Sequence, residues 1–226
     1  AGHSLGEYTA LVSAGSITIS DAATLLKTRG EAMQNAVPVG QGSMVAILGV
    51  SVEDIEYFIA SVATSDGLVE IANDNAPGQV VISGDVKTLD LIIKLVRESG
   101  IRKIIKLSVS APFHCSLMKP AAVIMENALK KIKFLEPKFP IISNVSAIPE
   151  TSTQTIKNNL ILQVTQRVRW RETMASLSRL GISQVVEMGT GRVLTGLAKR
   201  GAQNINALNL ETPENIFNWL TNEKLI

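Results

Sequence analysis

At 226 residues the chain is long enough to bury a real core, as one large domain or two smaller ones. Its 46% hydrophobic and 19% charged residues are those of an ordinary globular protein, and a net charge of +2 gives no ground for a nucleic-acid partner. No apolar stretch approaches the length of a membrane span. The single cysteine, Cys115, and the two histidines rule out an internal disulfide, argue against a Cys/His zinc site and fit a reducing, cytoplasmic setting.

The chain opens on Gly2-His3-Ser4-Leu5-Gly6, a serine between two glycines, and residues 8–14 that follow read as a helix. A serine on a sharp strand-to-helix turn is a nucleophile elbow. The turn is crowded, so its flanking positions must be small. The hydroxyl then stands at the positive end of a helix, beside N–H groups able to hold an oxyanion. The same five residues also occur in turns that carry no chemistry. Only Ala1 precedes the motif, so the leading strand is expected before this sequence, and the chain reads as the C-terminal portion of a longer protein.

Ser20-Asp21 predicts the cap of a helix over 21–36, with Ala22, Leu25, Leu26, Met33 and Ala36 on its apolar face. Arg29 falls on the same stripe, where a cation is costly unless an anion meets it. That anion is either an internal Asp or Glu or the carboxylate of a ligand held by the guanidinium fork. After a Pro/Gly linker, strands over 43–50, 68–72, 79–83 and 101–109 alternate with helices over 51–63 and 86–98. The order βαββαβ predicts a ferredoxin-like subdomain over 39–109, inserted into a larger one made of 1–38 and 110–226. Residues 73–78 read as a turn.

Pro112 turns the chain before His114, and a helix is expected from about 116 to 131. A buried strand over 141–145 and helices from 152 or 153 to 164 and over 170–180 follow. Then come a parallel, buried strand over 182–188, a helix over 192–200, an edge strand over 207–210 and a closing helix over 214–220. This alternation predicts an α/β domain with a mainly parallel sheet. A serine nucleophile needs a base. His3 adjoins Ser4 and leaves the turn in another direction, so it reads as a residue shaping the elbow. His114, at a turn after a strand, is the candidate base, and its neighbour Cys115 reads as a small buried residue.

Gly2-His3-Ser4-Leu5-Gly6-Glu7, Arg29, the run from Asn73 through Asn75 and Pro77 to Gly84, Ala111-Pro112-Phe113-His114, and Gly189-x-Gly191-x-Val193-Leu194 together resemble the malonyl-CoA:acyl carrier protein transacylases. The acyltransferase domains of polyketide synthases are close relatives. The similarity covers nearly the whole chain, in order and spacing. It implies an α/β-hydrolase-like parallel-sheet subdomain beside the ferredoxin-like insertion, with the active site between them. It also implies that malonyl passes from CoA to the phosphopantetheine thiol of acyl carrier protein through a malonyl-serine, in fatty acid or polyketide biosynthesis. Carried over by position, Ser4 is the nucleophile and His114 its base, steadied by the backbone carbonyl of Gln163. Arg29 holds the malonyl carboxylate, Met33 lines the acyl pocket, the Leu5 N–H is an oxyanion donor, and Phe113 narrows the pocket against branched groups. No metal or other cofactor is implied, malonyl-CoA being a substrate.

An acidic carrier protein calls for a basic rim, for which Lys130, Lys131 and Lys133, or Arg167, Arg169 and Arg171, are candidates; the same residues also read as ordinary solvated faces. The chain departs from the family pattern in three places. The family's N-terminal part is absent, with a glutamine that gives the second oxyanion donor. The usual proline before Trp170 is missing from Gln166-Arg167-Val168, and Thr190 replaces the proline of Gly-Pro-Gly. Two alternatives stand beside the transacylase: a serine hydrolase or thioesterase on the same elbow, and an inactive truncated fragment.

Overall fold

The computed structural model describes residues 1–62 and 67–223. In chain order the elements are α1 (Gly6–Ser13), α2 (Ile19–Asn35), β1 (Gly42–Leu48), α3 (Val52–Ser61), β2 (Val69–Ala76), β3 (Gln79–Asp85), α4 (Val86–Glu98) and β4 (Lys103–Lys106). A 3-10 turn (Ser116–Met118) leads into α5 (Lys119–Lys130), β5 (Ile141–Ile142), β6 (Pro149–Glu150), α6 (Thr153–Gln163), α7 (Trp170–Arg179), β7 (Gln184–Met188), α8 (Val193–Gly201), β8 (Asn206–Leu210) and α9 (Pro213–Asn222). The fold is α/β, and the chain forms two compact units, Ala1–Thr173 and Met174–Ile226.

In the first unit β2, β3, β1 and β4 lie side by side in that order, each neighbouring pair antiparallel. Side chains alternate across such a sheet. Val45, Ile47, Val80 and Ile82 pack on one face against Ile55 of α3 and Leu89, Ile92 and Val96 of α4. Met44, Ala46 and Val81 take the other face with Ala72 and meet Phe113. Both helices have side-chain caps that satisfy free backbone donors: Ser51 accepts from the Asp54 N–H, and Asp85 from the Thr88 N–H. A separate core joins α1, α2, α5 and α6 through Tyr8, Leu11, Leu25, Met33, Met125, Leu129 and Leu160.

Several boundaries differ from those expected. The cap of α2 is Thr18, whose hydroxyl accepts from the Asp21 N–H at 3.0 Å, so the helix starts two residues before Asp21. The predicted turn over 73–78 is mostly strand. β2 continues to Ala76 through two irregularities of register, and the turn shrinks to Pro77-Gly78, where Gly78 takes φ +71°. Backbone bonds from Asp74 N–H to Val168 O (3.0 Å) and from Val168 N–H to Ala72 O (2.8 Å) support these polar positions from outside the sheet. The last strand of this sheet pairs over only four residues, opposite Val45 to Leu48. The helix expected from 116 begins as a single 3-10 turn, and Pro120 then sits in the first turn of α5, where its missing N–H costs nothing. Of the expected strand over 141–145 only Ile141–Ile142 pairs, with the unpredicted β6. The helix expected over 51–63 ends at Ser61, and Ala63 lies outside the described residues.

In the second unit β7 and β8 pair in parallel, from Gln184↔Asn206 to Met188↔Leu210. The Glu187 carboxylate caps α8 by accepting from the N–H groups of Leu194 (3.0 Å) and Thr195 (2.7 Å). Val185 and Val186 are half-buried rather than buried, since among the described residues only β8 flanks their strand.

Candidate active site

Ser4 sits at the mouth of α1 with φ +50°, a left-handed conformation that a non-glycine residue adopts only under constraint. The constraint is visible on both sides. A Cβ on Gly2 would lie 1.9 Å from the Gly6 carbonyl oxygen, so the turn closes only over glycine. Asn144 ties the turn from across the fold, its Oδ1 accepting from Ser4 N–H at 2.7 Å and its Nδ2 donating to Gly2 O at 2.7 Å. Ser4 N–H is thereby occupied. The N–H of Leu5, the N-cap of α1, has no hydrogen-bond partner among the described residues, and it points from the positive end of the helix.

The Ser4 hydroxyl donates to His114 Nε2 at 2.8 Å. His114 Nδ1 stands 2.8 Å from the Gln163 backbone oxygen, which can only accept, so the proton is on Nδ1 and Nε2 is free to take the serine proton. Gln163 is the last residue of α6, so its carbonyl has no partner within the helix and lies at the negative end of its dipole. Burial, and secondly the positive charge of Arg29, pull the His114 pKa down to about 3, keeping the ring neutral in the resting site.

Arg29 is 7% exposed and meets no carboxylate within ion-pair distance among the described residues. One nitrogen, Nη2, donates to Ser4 Oγ and to Gln163 Oε1, each at 3.0 Å. Its Nε–H is buried with no acceptor among the described residues. Burial of the guanidinium without a counter-ion in contact is what an anion-binding seat requires. Ser4, Arg29, Gly30, Met33, Gln34, Phe113 and His114 line a cavity of about 170 Å³ beside it. That is small next to the several hundred Å³ of drug-sized pockets, and suits a short acyl group. A larger hollow of about 520 Å³, lined by Ile59, Glu70, Ser116, Arg167 and Arg169 among others, holds no such constellation, and the Ser116 hydroxyl there is tied to Glu70.

All seven residues singled out in the sequence fall at this place: Ser4, Leu5, Arg29, Met33, Phe113, His114 and Gln163. His3, read as shaping the elbow, donates from Nε2 to Asn75 Oδ1 at 2.8 Å and packs edge-on against Trp170. Cys115 is fully buried, and burial pushes its thiol up to about 11. Sequence reasoning missed the support beneath the elbow, made of Glu7, Asn144 and the side chain of Gln163. Glu7 Oε2 accepts from Gln163 Nε2 at 2.7 Å and from Asn144 N–H at 3.1 Å, and Gln163 Nε2 also reaches Ser4 O at 3.0 Å. No local signal marked it, since an acidic residue in the first turn of a helix such as α1 is where a carboxylate is expected. Of the candidate rim residues, Arg167, Arg169 and Arg171 are each paired, with Glu56, Glu172 and Asp74, and Lys130 with Glu126.

The acyl transferase domain family matches residues 1–214 of this chain. The malonyl CoA-acyl carrier protein transacylase of Bacillus subtilis is 42% identical over 216 residues, spanning 96% of this chain and 68% of that protein. The crystal structure of an acyl-carrier-protein-S-malonyltransferase from Bartonella henselae superposes with TM-score 0.93 at 47% identity, covering 97% of this chain and 69% of that one. A structure of a type II PKS acyl-carrier protein in complex with its malonyl-transacylase matches with TM-score 0.93 at 40% identity, covering 97% and 71%. An elbow serine paired with a neutral histidine, a buried guanidinium beside it, and this extent of likeness agree: the chain belongs to the acyl transferase domain family, among the malonyl-CoA:acyl carrier protein transacylases.

Proposed function

We infer that the protein moves a malonyl group from CoA to the phosphopantetheine thiol of acyl carrier protein, in fatty acid or polyketide biosynthesis, and we propose that Ser4, His114 and Arg29 carry the reaction. Ser4 Oγ attacks the thioester carbonyl while its proton passes to His114 Nε2. The tetrahedral oxyanion is held by the Leu5 N–H, a donor of a kind worth about 3 kcal/mol. The C–S bond breaks, and CoA leaves as the thiol with the proton from the imidazolium, which the Gln163 carbonyl has stabilised. The pantetheine thiol then gives its proton to His114 and attacks the malonyl-serine carbonyl; the ester C–O bond breaks, and Ser4 Oγ takes the proton back from the imidazolium. Arg29 seats the free malonyl carboxylate, with Met33 and Phe113 bounding the acyl chain. These side chains supply nucleophile, base and anion seat, so the proposed chemistry asks for no metal or other cofactor. A cytoplasmic setting belongs to the proposal, on the ground that the donor is a CoA thioester and Cys115 is a free thiol.

The observation that carries this reading is the buried guanidinium bonded to the nucleophile itself, with its Nε–H unanswered. Arg29→Ala tests it. Its kcat/KM for malonyl-CoA should fall about 10- to 100-fold, the worth of hydrogen bonds to a charged group, with acetyl-CoA spared that loss. Equal losses for both thioesters would contradict the assignment.

A further inference from the structure

Glu7 is 1% exposed, in the first turn of α1, and plays no part in the chemistry above. Its carboxylate accepts from Gln163 Nε2 at 2.7 Å, while the other end of the same amide, Gln163 Oε1, accepts from Arg29 Nη2 at 3.0 Å. A carboxylate can only accept, so it fixes which way this amide faces: nitrogen toward Glu7, oxygen toward Arg29. The two buried charges are thus joined through one amide and do not touch. The α-amino group of Ala1, desolvated by burial, also favours the Glu7 carboxylate, and the Glu7 charge in turn acts on Arg29.

We propose that Glu7 is the counter-ion of Arg29, acting through the Gln163 amide as a positioning residue. It stabilises the buried guanidinium and fixes its aim, and it leaves the Nε–H without an acceptor among the described residues, available to a substrate carboxylate. A direct ion pair would occupy the fork that the ligand needs. With no anion at all, the buried cation would bear its full desolvation cost. Burial raises the Glu7 pKa to about 7, so at pH 8 the carboxylate is the prevailing form.

The test is a double-mutant cycle at pH 8 on the full chain, with E7Q, R29Q and E7Q/R29Q compared by thermal melting. Glutamine at position 7 keeps the shape and an acceptor oxygen for Gln163 and Asn144, removes the charge, and puts an NH2 donor in place of the second oxygen. Burial of the Glu7 charge itself costs stability, so the coupling and not the sign of the E7Q shift is the quantity read. The Tm change on E7Q should be clearly more unfavourable beside Arg29 than in the R29Q background, since coupled charges are not additive. Equal changes in the two backgrounds would overturn the proposal.

A second arm rests on the carboxylate-seat reading of Arg29. Where E7Q folds, its KM for malonyl-CoA should fall several-fold relative to acetyl-CoA, because the guanidinium has lost a competing negative charge. Parallel changes for both thioesters would contradict that arm. Coupling in Tm without any malonyl preference in the unmutated chain would remove the carboxylate seat and leave the counter-ion standing.

Discussion

Ser4 and His114 are both held at positive φ, +50° and +59°, a conformation that costs about 1–3 kcal/mol per residue and persists only where the surroundings enforce it. Both ends of the serine–imidazole bond are therefore fixed by backbone as well as by hydrogen bonds. His114→Ala should leave Ser4 in place and lower the rate of its acylation about 10²- to 10⁴-fold, measured in a single turnover. The depressed His114 pKa also bears on stability. The folded chain refuses a proton, down to about pH 3, that the unfolded chain accepts near 6.5, so stability is lost as pH falls through that window. Glu7 has the opposite sign: its folded pKa of about 7 exceeds the ordinary carboxylate value of 4.5, so it costs stability as pH rises between the two. Melting curves of His114→Gln from pH 7 to 4 should show a shallower acid loss than the unmutated chain; an unchanged slope would contradict the burial of a neutral ring. Ser4, Arg29 and His114 were legible because each breaks a local rule: a serine between glycines, a cation on an apolar stripe, a histidine after a strand and a proline. Asn144 and Glu7 break none that sequence shows. Their partners lie 137 and 156 residues away, and such pairing leaves no local pattern.

At the scale of elements, the two glycines of the elbow are not equivalent. Gly2→Ala forces a Cβ into the Gly6 carbonyl and should cost on the order of 3 kcal/mol or more, with loss of acylation. Gly6 opens α1 with nothing within 4 Å of an added Cβ, so Gly6→Ala should shift stability by no more than about 1 kcal/mol. Urea unfolding of the two variants checks the contrast, and equal losses would contradict it. Strand ends were read less well than strand cores. β2 runs through Asn73, Asp74 and Asn75, which carry turn chemistry, because contacts from distant segments hold them extended. The Asp74 carboxylate accepts from Arg171 Nε at 2.9 and 3.0 Å and from its Nη2 at 2.8 Å. Asp74→Ala should cost about 2 kcal/mol, less than a fully buried pair because the Arg171 side chain is 38% exposed.

Over the whole molecule, the order and type of nearly every element follow from hydrophobic period and from Gly/Pro punctuation. The antiparallel order β2-β3-β1-β4 is the one a ferredoxin-like βαββαβ unit has, so it too was implied by the succession of elements. We keep the division into 39–109 against 1–38 with 110–226 as a proposal. In support, one core covers the sheet with α3 and α4, another joins α1, α2, α5 and α6, and Phe113 packs against the second core and against the far face of the sheet. The site draws on α1, α2, the His114 turn and α6, so the chemistry is a property of the assembled unit rather than of the elbow motif. Its most direct test is intact-protein mass spectrometry after malonyl-CoA, followed by addition of holo acyl carrier protein. One malonyl group should appear on Ser4, be absent in Ser4→Ala, and pass to the carrier protein faster than to water. A label that survives in Ser4→Ala, or release to water as fast as transfer, would contradict a malonyl-serine transferase.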